Sequence, residues 1–274
     1  MKYLTRVFIL LVIASICKLN AQQFSGIATY KSHRKMDLKL DDEKQTSIND
    51  DLKKQIHEQL KKQFQKTYFL SFNREESIYK EEEVLAAPAP SSGGISITVS
   101  NGSDIRYKNI KEQRYVNANE IYGKAFLIKD SIKPINWKLV NETKNIGNYT
   151  CFKAEFSETY TAKTISSEGK VEEVEKERTT TAWYTPQIPL SHGPEDFQGL
   201  PGLILEINDG ELTLICSKII LNPEKEIEIK EPKKGKEVNQ EEYDAIIQKK
   251  MEEQMERFRG SGRDGELKVI SFGG

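Results

Sequence analysis

The sequence predicts a mainly β protein of the α+β class. The expected architecture is a large curved antiparallel sheet, or half-barrel meander, with two amphipathic helices packed on or beside it. Three observations carry this. Short stretches of alternating apolar and polar residues recur from Gln23 to Leu221, separated by turn residues. Two longer stretches place apolar residues at helical spacing instead: Ile48, Leu52, Ile56, Leu60 and Phe64, then Tyr243, Ile246, Ile247, Met251 and Met255. No internal repeat or long neutral linker divides the chain, which therefore reads as one domain with decorations.

The N-terminus sets the expected address. A short basic start (Met1–Arg6), an apolar run (Val7–Ile16) and a small residue at Ala21 form a secretory signal pattern over residues 1–21. The apolar run is too short to span a bilayer comfortably, and no later stretch is long enough, so no transmembrane segment is expected after signal removal. Lipidation at Cys17 is a rival, but Ile16 stands where a small residue is required. Cleavage removes Lys2, Arg6 and Lys18 and no acid, taking the net charge from −1 to −4. That balance argues against nucleic acid as a partner and against a strongly anionic membrane surface. The mature chain divides into a β-rich domain over 22–232 and a C-terminal helix and tail over 233–274.

Taken in order, Gln23–Ser32 alternates as a first strand. Ser47 can cap a helix over 47–66. Lys66–Lys80 is a strand, turn and strand, with Tyr68, Leu70 and Phe72 on one face. Residues 84–95, rich in Pro, Ser and Gly, form a flexible loop, and a hairpin beyond it turns at Asn101-Gly102. Strands continue to Thr185. In one of them Thr150, Phe152, Ala154 and Phe156 share a face and Cys151 takes the other; Ser166–Lys170 is a hairpin tip. Leu203–Ile207 and Leu212–Cys216 form a hairpin about Asp209-Gly210. A two-residue loop there pairs Ile207 with Leu212, Leu205 with Leu214 and Leu203 with Cys216, all facing one side. Glu226–Lys230 alternates Glu and Ile as an exposed edge strand. A helix over 238–258 opens with an Asn239/Glu242 capping box and a Val238/Tyr243 staple.

Leu200-Pro201-Gly202-Leu203 fits a type II turn, with proline second and a positive-φ glycine third. The longer stretch "WYTPQIPLSHGPEDFQGLPGLILEI" (Trp183–Ile207) resembles the signature of the GLPGLI family, and "FSGIATYK", "FLSFNREESIY" and "NWKLVNETKNIGNYTCFKAEF" match further parts of it. The residues that carry the resemblance are Trp183, Tyr184, Thr185, Pro189, Gly193, Pro194, Gly199, Leu200, Pro201, Gly202, Leu203 and Ile204. It implies an exported protein of the Gram-negative envelope, in the periplasm or at the periphery of the outer membrane, with a β-rich body. It implies no established reaction, cofactor or catalytic residue.

Chemical motifs are few. Ser191, His192, Glu195 and Asp196 supply nucleophile, base and orienter as residue types, yet adjacent Ser and His side chains rarely meet and no nucleophile elbow surrounds Ser191. His33, His57 and His192 have no metal-ligand spacing, and Asn208–Glu211 lacks a calcium-loop series and reads as a turn. No catalytic, cofactor or metal residues are assigned, and no cofactor is expected. Cys151 and Cys216 either form one bridge in an oxidising compartment or remain two buried thiols. Trp137, Trp183 and Tyr184 line a groove or fill the core. The function expected is a non-enzymatic binding or carrier module for an apolar small molecule or an envelope protein partner. The alternatives are a hydrolase using the Ser191–Asp196 loop, and an accessory subunit of an outer-membrane transport or secretion complex that docks through the Glu226–Lys230 edge.

Overall fold

Among the described residues, twelve strands form a single open sheet. The computed structural model describes residues 24–35, 65–83, 104–121, 123–165 and 171–260. The expected signal segment, the 47–66 helix apart from its last two residues, the 84–95 loop, the Asn101-Gly102 turn, the Ser166–Lys170 tip and the chain after 260 lie outside these. The strands are β1 (Gly26–Arg34), β2 (Thr67–Phe72), β3 (Glu76–Glu81), β4 (Ile105–Asn109), β5 (Arg114–Ile121), β6 (Lys124–Ser131), β7 (Lys138–Ile146), β8 (Tyr149–Ile165), β9 (Val171–Thr185), β10 (Leu203–Asn208), β11 (Leu212–Leu221) and β12 (Lys236–Val238). One helix follows, α1 (Gln240–Gly260). The mainly β class holds, with one described helix rather than two.

Spatial order is β12-β6-β5-β4-β3-β2-β1-β11-β10-β9-β8-β7. Two meanders, β1 to β6 and β7 to β11, are joined where β1 pairs antiparallel with β11. Only β12 runs parallel to its neighbour, β6. The alternation read from the sequence appears directly: β1 buries Gly26, Ala28, Tyr30 and Ser32 in turn.

One face of the sheet is covered twice. Residues 186–202, between β9 and β10, fold back over β1 to β4 and bury Ile188, Leu190 and Leu200 against the strands. Helix α1 covers β6, with Tyr243, Ile246 and Ile247 against Phe126, Ile128 and Val238. Its start matches the expected capping box: the Glu242 N–H donates to Asn239 Oδ1 at 2.8 Å, and the Asn239 N–H donates to Glu242 Oε2 at 3.0 Å. Val238 and Tyr243 meet as the staple requires. No described helix is long and apolar enough to cross a membrane.

Two expectations are corrected. Glu226–Lys230 is not an edge strand. It lies in an unpaired strap on the opposite face of the sheet, with Ile229 against Tyr107, Val116 and Leu127; Arg114 holds the strap through Glu231 at 2.8 Å. Alternation alone reports which side chains point inward, not whether the backbone finds a partner strand. The β10–β11 hairpin pairs Ile207 with Leu214, not Leu212. Asp209 Oδ1 accepts from the N–H groups of both Glu211 and Leu212, which lengthens the turn to four residues. A bulge at Leu205 then splits the expected apolar face: Leu203, Leu205 and Cys216 enter one cluster, Ile207 and Leu214 another. Of the two alternatives left open for Cys151 and Cys216, the structure has both as buried free thiols. Strands β9 and β10 stand between their own strands, β8 and β11. Both cysteines nonetheless pack into one core cluster.

Candidate functional site

The Gly199–Ile204 segment is a packing device. Gly199 has φ +93°. Pro201 sits at the centre of a tight turn in which the Gly202 N–H donates to Leu200 O at 2.8 Å. Gly202 does not take the positive φ expected of a type II turn. Glycine is needed there for another reason: a Cβ would lie 2.2 Å from Thr185 O. Leu203 and Ile204 are then fully buried, and the Tyr30 hydroxyl donates to Ile204 O at 2.6 Å. Trp137 Nε1 donates to Gln198 O at 2.8 Å and meets Phe156 edge-on. Trp183 lies under the Lys144 ammonium at 4.4 Å. These aromatics hold the connection and the sheet together.

Beneath this connection lies Lys108, 2% exposed. Its Nζ donates to the carbonyls of Gly193 (3.2 Å), Glu195 (2.7 Å) and Phe197 (3.1 Å) and to Gln198 Oε1 (3.3 Å). The turn that gathers these oxygens is closed by Phe197 N–H to Pro194 O, with Glu195 at φ +48°. Burial lowers the Lys108 pKa to about 8. Gly193 is required because a Cβ would strike Phe197 O at 2.7 Å and Ile204 Cδ1 at 2.8 Å.

The Ser191–Asp196 loop does not bring its polar groups together. Ser191 Oγ accepts from the Gly199 N–H at 3.0 Å. His192 is fully buried, and its Nε2–H donates to Asn73 O at 2.9 Å. Burial, with the Lys108 charge nearby, pushes its pKa down to about 3, so the ring is neutral. Asp196 pairs with Arg106 at 2.5 Å. Each group has a separate structural engagement.

Between the connection and α1, the sheet presents a strip that the sequence did not reveal. Register places Tyr79, Arg106, Asn117 and Ile128 in one line across β3 to β6. The next line sets Asp104 opposite Asn119, continuing the Ile105–Ala118 pairing. Four atoms here are buried without a hydrogen-bond partner: the Tyr79 hydroxyl, Asp104 Oδ1, Asn117 Oδ1 and Asn119 Oδ1. Such groups cost stability unless something completes them. Burial raises the pKa values of Asp104 and Glu195. Burial opposes the Arg106 charge, but Asp196 and Glu195 outweigh it and hold the pKa above the ordinary guanidinium value. Tyr68 stacks on Tyr79 with ring centres 5.0 Å apart and planes 9° from parallel. Asn117 and Asn119 sit two apart on a strand, a pattern too common to mark a site. Their meeting with Asp104 depends on the register. Among the described residues, no group of three or more His, Cys, Asp or Glu side chains is placed to hold a metal.

A family of proteins of unknown function, Porph_ging, matches residues 137–206. That span takes in β7 to β9, the covering connection and most of β10. No curated protein matches the chain. Two solved structures of PNGF-II, in space groups C2 and P21, are similar at 14% and 15% identity. They cover 82% and 83% of this chain, each with a TM-score of 0.49. The chain spans about a third of their length (33% and 34%).

Proposed function

We propose that this chain is an exported envelope protein of the GLPGLI type that works as a non-enzymatic binding module. The ligand site proposed is the strip on β3 to β5. One observation carries the reading: four buried polar atoms without partners belong to residues that the register sets on one face of β3 to β5. A core does not gather such atoms at random, because each costs about 1–3 kcal/mol when left unpaired. A ligand that supplies the missing bonds recovers that cost as affinity. The ligand proposed is therefore polar where it meets the strip, in place of the apolar ligand expected from sequence. The hydrolase alternative needs Ser191 and His192 to act together, whereas each is bonded to a different backbone group.

The test is an intact mass of the protein taken from its native host, recorded first under native and then under denaturing conditions. An added native mass that leaves on denaturation as a small molecule supports the reading. A bare mass in both conditions counts against it.

A further inference from the structure

The unpartnered atoms of the strip are of one chemical kind. Asp104 Oδ1, Asn117 Oδ1 and Asn119 Oδ1 are acceptors, and the Tyr79 hydroxyl can accept as well as donate. Tyr79 is only 3% exposed, so solvent does not complete it. The surrounding charge has the matching sign. Asp104, Glu195 and Asp196 face Arg106, which Asp196 already engages; Glu81, near Asp104, pairs with Lys66, and Arg34 lies near Glu195. Lys108 does not balance the remainder, because its ammonium is enclosed by four oxygens of the covering connection. The strip therefore offers unpartnered acceptors and, Lys108 apart, more acid than base, beside a stacked pair of tyrosine rings. Charge-assisted hydrogen bonds are the stronger kind.

We infer that the strip binds an organic cation, the primary ammonium group of an aliphatic amine, whose three N–H donors meet Asp104, Asn117 and Asn119 beside the Tyr68–Tyr79 pair. The inference rests on the binding-module reading above and names the ligand class for the same site. It also accounts for the two carboxyl groups held toward their neutral forms: burial without a sufficient counter-charge raises both, and a bound ammonium supplies that charge. A free diamine and a lysine side chain present the same group, and the experiment separates them.

The full mature chain is titrated calorimetrically with 1,4-diaminobutane, 1,4-butanediol, succinate and calcium chloride. It is titrated in parallel with a lysine-containing peptide and with the same peptide acetylated on its lysine. The diamine binds, and the diol of equal length binds at least about tenfold more weakly. Asp104→Asn and Asn117→Leu each weaken diamine binding at least about tenfold, with unliganded melting curves recorded to confirm folding. A peptide that binds as tightly as the diamine, and loses binding on acetylation, assigns the cation to a protein partner; diamine binding alone assigns it to a small molecule. Binding of the diol, succinate or calcium in place of the diamine overturns the ammonium class and leaves the binding module standing. If no probe binds and the side-chain amide NMR signals of Asn117 and Asn119 do not move, the inference falls. The native mass experiment then decides the broader reading independently.

Discussion

Each residue from Gly199 to Ile204 answers a separate steric demand. Gly199 supplies a left-handed φ, Pro201 a tight turn and Gly202 an approach to the β9 backbone that no side chain permits. Leu200, Leu203 and Ile204 fill the core on either side. Gly202→Ala should therefore cost about 3 kcal/mol, at the upper end of overpacking penalties, because the clash is with Thr185 backbone rather than a side chain that can swing away. Gly199→Ala meets only the Trp137 ring at 3.9 Å and should cost about 1 kcal/mol from its φ. Urea denaturation of the two variants checks the order; the reverse order would show that turn conformation, not close approach, is the constraint. The Pro-Gly pair announced a bend in the sequence. Which glycine bears the positive φ depended on where Thr185 lies, and that is a tertiary fact.

Among the elements, the strap shows how far periodicity reaches. The Glu/Ile alternation correctly separates Ile227 and Ile229 from their charged neighbours, for Ile229 packs while Glu228 and Lys230 pair with each other at the surface. Nothing in the alternation says whether the segment has a strand beside it. If the strap holds the face of β4 to β6, Ile229→Ala should lower stability by about 1–2 kcal/mol, the scale of a partly buried aliphatic. Glu228→Ala should stay within about 0.5 kcal/mol of the parent. Equal, negligible effects in thermal melts would show that the strap contributes nothing there. Helix α1 was more legible, since a capping box and staple are local chemistry and need no distant partner.

For the whole molecule, the buried ionisable groups set the response to acid. His192 titrates near 3 when folded and near 6.5 when unfolded. Between those values the unfolded chain binds a proton that the folded chain does not, so this residue makes stability rise with pH and fall on acidification. Asp104 and Glu195 act in the opposite sense. Burial raises their folded pKa values, so their contribution is present at low pH and lost as pH rises through those values. His192→Gln should therefore flatten the loss of stability between about pH 6.5 and about pH 4, by up to about tenfold in the folding equilibrium per pH unit. Urea midpoints across that range measure it, and an acid limb as steep as the parent's would refute the assignment.

The sequence by itself determined what depends on near neighbours: the β class, most strand positions, the opposite faces of Cys151 and Ala154, and the start of α1. Alternation, capping chemistry and turn residues act over a few positions, so they can be read in order along the chain. Only the tertiary structure decided the rest. The return of residues 186–202 over the sheet enclosed Lys108 and separated Ser191 from His192. Register across β3, β4 and β5 assembled Tyr79, Asp104, Asn117 and Asn119 from three strands. Those contacts join residues far apart in the chain, and local sequence carries no record of which distant strand will supply the missing hydrogen bond.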